Sequence, residues 1–177
     1  MKRILLFIFL ILSGSGFLQT AGAQSQYSDY RIIIQKTDAL GKKYPAFCSV
    51  KPIIQTAGGK ELRVLTIGKG NKDLKPGIAI LGGIEGSHLL GRELALGFAT
   101  SILNESESQE IQDLLDKVTF YIFPDVSPDA GEQFFHGLKY ERNINTTQTD
   151  DDRDFVDGED PFEDLNNDGL ITLIRVS

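Results

Sequence analysis

Two short apolar runs constrain this chain most. Gly77–Gly83 and Val118–Phe123 carry no charge and are rich in branched and aromatic side chains. A strand buried on both faces has such a run, because neither face needs to alternate with polar residues. Between them lie a helical pattern from about Leu89 to Leu103 and a second helix, opened by Ser106 or Ser108, rich in acids at its front and ending near Asp116. Upstream, Ser28 is expected to cap a helix running through Lys42-Lys43, with Tyr30, Ile33, Ile34 and Leu40 inward and Tyr44-Pro45 as its stop. Val50–Thr56 and Leu62–Ile67 read as strands joined by the turn Ala57-Gly58-Gly59-Lys60. Gly68–Pro76 and the stretch from Pro124 read as loops, and no regular pattern is evident after Gly131. Strands alternating with helices imply an α/β domain, with a mixed β-sheet flanked by helices.

The amino terminus reads as an export signal. Lys2-Arg3 precedes a nine-residue apolar run, Ile4–Leu12, and Ala21-Gly22-Ala23 supplies a small-x-small cleavage site. A membrane span needs about 20 apolar residues, so the run is too short for a permanent anchor. Residues 1–23 are therefore expected to be a signal peptide, and 24–177 one domain placed in the periplasm or outside the cell. Cys48 is the single cysteine, which excludes an internal disulfide. Its apolar setting, Ala46–Val50, favours a buried side chain over a reactive thiol.

The net charge of −7 is unevenly spread. Residues 150–168 hold ten acids and one base, while the rest of the chain after residue 23 is neutral. The protein thus carries one local anionic device, and no basic patch suggests a nucleic-acid partner.

Ligand sites in α/β sheets lie beyond the carboxyl ends of the strands. Glu85 and His88 occupy that position, three residues apart in a loop flanked by glycines. Carboxylate and imidazole are both good zinc donors, and the glycines let the loop bend so that the two converge.

Several segments together resemble the zinc carboxypeptidase family. The first helix, Lys43-Tyr44-Pro45 and the strand pair ending in Leu65-Thr66-Ile67-Gly68 are similar to that family's opening. Ile80–Leu96 is similar to its first zinc-ligand segment, and Tyr121–Asp129 to its strand ending in Asn-Pro-Asp-Gly. The resemblance covers about residues 28–177. It implies an amino-terminal, incomplete part of a zinc carboxypeptidase-like domain, Zn²⁺ as cofactor, and a peptide or protein as substrate. The family's His-x-x-Glu is reversed here, with Glu85 in the histidine position and His88 in the glutamate position. Either the exchanged ligands still hold zinc, or the site has drifted from metal binding. Asn-Pro-Asp-Gly is altered to Ser127-Pro128-Asp129-Ala130. Arg142, thirteen residues after Asp129, matches the family's arginine that polarises the scissile carbonyl; the competing reading is a surface arginine beside Glu141. The family's third zinc ligand and general base would lie beyond Ser177. His136 reads as a loop histidine.

In the acidic segment, Asp164, Asn166 and Asp168 fit positions one, three and five of an EF-hand-type calcium loop, with Gly169 at six and Ile171 at eight. Arg175 stands where the bidentate glutamate would be, so a complete EF-hand is not indicated. Asp150, Asp152 and Asp154 repeat the alternation, with Phe155 in place of glycine. Calcium bridging the two half-loops over about 150–171 is the favoured expectation; a solvated acidic loop is the alternative.

Overall fold

A computed structural model describes residues 27–136, 145–150, 153–158, 164 and 166–171. The expected signal peptide, Arg142 and Asp152 lie outside these residues. Helix α1 spans Tyr30–Lys43. The cap is Asp29 rather than Ser28: its carboxylate accepts from the Ile32 amide at 2.7 Å. Both residues are good caps, and Ser28 is engaged elsewhere, its amide donating to Glu93 at 2.5 Å.

Strand β1 (Cys48–Gln55) begins two residues earlier than expected and pairs antiparallel with β2 (Glu61–Ile67) through the turn at 56–60. Strand β3 (Gly77–Leu81) leads into helix α2 (Leu90–Asn104). Helix α3 (Gln109–Lys117), capped by Ser108, leads into β4 (Thr119–Phe123). A short helix, α4 (Pro128–Glu132), forms where only a loop was expected. Proline at its first turn supplies a preset φ and needs no donor there.

The four strands lie in the order β1-β2-β4-β3, with β3 parallel to β4 and the other pairs antiparallel. The expected mixed sheet is present. Leu65, Ile67, Phe120 and Ile122 share one face and pack on Leu40 of α1, Ala95, Ala99, Ile102 and Leu103 of α2, and Leu115 of α3. Cys48 is in this core, and burial pushes its thiol up to about 11. That matches the inert side chain expected from its neighbours.

The expectation for β3 is also corrected. The run Gly77–Gly83 was expected to be buried on both faces. Of β3, only Ile80 is even partly buried, while Ile78 and Leu81 are 43% and 52% exposed. The strand forms one edge of the described sheet, so only β4 covers it laterally. Apolar composition set the expectation, whereas burial depends on neighbouring strands and layers, which a run of residues does not specify.

Candidate metal pair and the contacts that hold it

Both loops named from the sequence stand together at the carboxyl ends of the parallel pair β3 and β4. They are tied by main-chain bonds: Gly82 donates to Phe123 O at 2.8 Å, and Val126 donates to Gly82 O at 3.0 Å. The Ser127 hydroxyl donates to Ile84 O at 2.9 Å. Gly83 turns the chain with φ +60°, and a Cβ there would sit 2.6 Å from Asp125 Oδ1. Only glycine serves at that position.

Beyond that turn, His88 N donates to Glu85 O at 3.0 Å and folds the loop into a single turn. This brings Glu85 Oε2 to 2.9 Å from His88 Nδ1. Both side chains are more than half exposed. The two residues singled out by their spacing therefore do converge. A carboxylate bound to Nδ1 orients the ring and leaves Nε2 as the free donor, the arrangement that supports metal-bound histidines. Carboxylate and imidazole both suit zinc in donor type, and in this arrangement Glu85 Oε2 is taken up by His88 Nδ1. Among the described residues, no three of His, Cys, Asp and Glu gather as a metal site. His136 instead contacts Glu132 Oε1 at 2.7 Å. An open cleft of about 450 Å³ borders His88 and is lined also by Tyr27, Leu90, Leu94 and Phe134.

Two buried acids brace these loops, and sequence reasoning assigned neither a role. Asp129, 4% exposed, accepts from Thr56 Oγ1 at 2.8 Å, Gly58 N at 3.1 Å and Thr146 Oγ1 at 3.2 Å, with Lys60 Nζ at 3.7 Å. Burial pushes its carboxyl up, but these donors and Lys60 outweigh it and hold the group below its ordinary value. Asp125 lies beneath Gly83 and pairs with Arg92 at 2.8 Å. Burial pushes the Asp125 carboxyl up to about 6, against the pull of the Arg92 guanidinium. The signal for Arg92 was present in the sequence: it falls on the same helical stripe as Ala95, Leu96, Ala99, Ile102 and Leu103, the inward face of α2.

The acidic segment holds two loops of matching conformation. Asp150 accepts from the amides of Asp154 and Phe155 at 3.1 and 2.8 Å, and Asp164 accepts from those of Asp168 and Gly169 at 3.2 and 2.8 Å. Asp154 and Asp168 each accept from the amide two residues on. Asn166 donates to Asp168 at 2.9 Å. The left-handed residues also correspond: Arg153 and Asn167, then Phe155 and Gly169, with φ between +57° and +83°.

Residues 33–168 match the family model for zinc carboxypeptidases. Carboxypeptidase B of Astacus astacus is 37% identical over 109 residues, which cover 60% of this chain and 34% of that protein. Carboxypeptidase E of Caenorhabditis elegans is 27% identical over 168 residues, covering 89% of this chain and 36% of that protein. The chain spans about a third of the length of these relatives. Two solved structures share the fold. Bovine thrombin-activatable fibrinolysis inhibitor, in complex with tick carboxypeptidase inhibitor, superposes with a TM-score of 0.58 at 20% identity, over 75% of this chain and 41% of that one. Carboxypeptidase A from Helicoverpa armigera gives 0.58 at 16% identity, over 77% and 34%. The chain belongs to the zinc carboxypeptidase family.

Proposed function

We propose that this chain is the amino-terminal part of an exported zinc metallocarboxypeptidase acting on peptides or proteins. The observation that supports this best is the Glu85–His88 contact on the loop after β3. In this reading His88 offers Nε2 to the metal, and Glu85 either fixes the ring through Nδ1 or donates a carboxylate oxygen. Bound zinc supplies Lewis acidity and an activated water. Arg142 stabilises the negative charge that develops on the scissile carbonyl oxygen. In this reading peptidase activity also needs a third ligand, which the described residues do not bring to the pair, and a general base. Among the described residues no helix is long and apolar enough to cross a membrane, and the cationic, apolar and small-residue segments of 1–23 support export.

Equilibrium zinc titration of the whole chain tests this reading, since an incomplete ligand set binds weakly. About one zinc per chain, lost in His88→Ala, is the expected outcome. Zinc binding by the native chain that His88→Ala leaves unchanged contradicts it.

The matching conformation of the two acidic loops favours a second reading: a non-catalytic binding module on the same fold, stabilised by calcium. Asp150, Asp154, Asp164, Asn166 and Asp168 would then supply oxygen donors, with Asp152 as a further one from the sequence. A melting temperature that rises with calcium in the native chain and not in Asp150→Asn/Asp164→Asn, in a protein that binds no zinc, supports the module over the enzyme.

A further inference from the structure

We infer that the buried Arg92–Asp125 ion pair is a positioning device that sets the Glu85–His88 loop. This rests on the metal reading of that loop. Arg92 leaves the first turn of α2 and is 1% exposed, and Asp125 follows β4 and is 6% exposed. The guanidinium is wedged between the two loops. A Cβ on Gly83 would lie 2.8 Å from Arg92 Cγ, and one on Gly131 would lie 2.6 Å from Arg92 Nη1. The same point above Gly131 is 3.6 Å from Gly86 O, the carbonyl midway between Glu85 and His88. The Phe135 ring centroid stands 5.9 Å from Arg92 Cζ. Arg92 thus touches Gly83 before the candidate ligands, neighbours the Gly86 region between them, and is gripped from the β4 side by Asp125.

A pair of this kind is a poor device for stability alone. Desolvating two charges offsets most of their attraction, and a well-packed apolar pair of similar volume is commonly as stable. Among the described residues, Arg92 Nε, Nη1 and Nη2 and both Asp125 carboxylate oxygens are buried with no hydrogen-bond partner, so their 2.8 Å approach is an ion pair without hydrogen-bond geometry, a cost that a packing role would not require. What the ion pair supplies, and an apolar pair does not, is a charge-to-charge link, 2.8 Å across, between the first turn of α2 and the loop after β4. Metal ligands depend on such supporting groups, whose loss typically weakens metal binding about 10–100-fold.

The double variant Arg92→Met/Asp125→Leu separates positioning from packing. Three properties of the whole chain are read: melting temperature, zinc affinity by competition with a chromophoric chelator, and amide exchange across 82–88. The expected result is a native-like melting temperature with zinc affinity reduced about 10–100-fold and faster exchange confined to 82–88. Native zinc affinity and native exchange in that loop, at native stability, would overturn the inference. If the double variant fails to fold, Asp125→Asn removes one charge of the pair at nearly constant shape; unchanged zinc affinity and loop exchange in that variant count against positioning. If the native chain binds no zinc, the metal reading fails by itself. Exchange at 82–88 then decides whether the pair holds the loop.

Discussion

The residues that matter most around the candidate site are held by partners far away in sequence. Asp129 takes hydrogen bonds from Thr56 and Gly58, 73 and 71 positions earlier. Nothing local to Ser127-Pro128-Asp129-Ala130 announces them, so the motif was legible and its bracing was not. Arg92 was legible as a charge on an apolar stripe, but its partner Asp125 becomes evident only once the ends of β3 and β4 stand side by side. By contrast, Glu85 and His88 lie three apart in one loop, and their spacing, the loop's place after β3 and the family resemblance of Ile80–Leu96 brought them out together. Removal of Asp129 leaves several donors unmatched, so Asp129→Ala should cost about 3 kcal/mol by chemical denaturation. Its carboxyl is held below the unfolded value of about 3.9. The stabilisation it gives is therefore present above that pH and is lost as pH falls through its folded value. Asp129→Asn should flatten the acid limb of the stability profile below about pH 4; an unchanged acid limb would contradict the role given to this carboxylate.

At the scale of elements, periodicity gave the helices and strands their type and approximate bounds. The errors have physical causes. Asp29 took the cap from its neighbour Ser28 because Ser28 is engaged by Glu93 and Lys36. The α4 turn is five residues long, too short for a period to register. Strand β3 was read as buried because its composition resembles that of a central parallel strand, yet among the described residues it stands at the edge of the sheet with Ile78 and Leu81 exposed. An apolar, uncharged edge invites pairing with other chains. Ile78→Lys should therefore lower self-association in sedimentation velocity while leaving the melting temperature within a few degrees. A variant that associates as strongly as the native chain would show that this edge is not the sticky surface.

At the scale of the whole molecule, the chain forms a sheet with helices packed on the Leu65, Ile67, Phe120 and Ile122 face. The Thr66, Tyr121 and Ala79 face is more open: Ala79 is exposed, and the other two are only partly buried. The loops at the carboxyl ends of β3 and β4 are braced from beneath by Arg92–Asp125 and from the side by Asp129. This frame presents Glu85 and His88 outward, both more than half exposed. The acidic segment is a separate device in sequence and charge, and in the calcium reading it would compete with that pair for a divalent cation. Zinc K-edge X-ray absorption of the zinc-loaded chain separates the two. The predicted first shell contains an imidazole nitrogen at about 2.0–2.1 Å, absent in His88→Ala. A shell of oxygens alone, unchanged by that substitution, would contradict a metal site at Glu85 and His88.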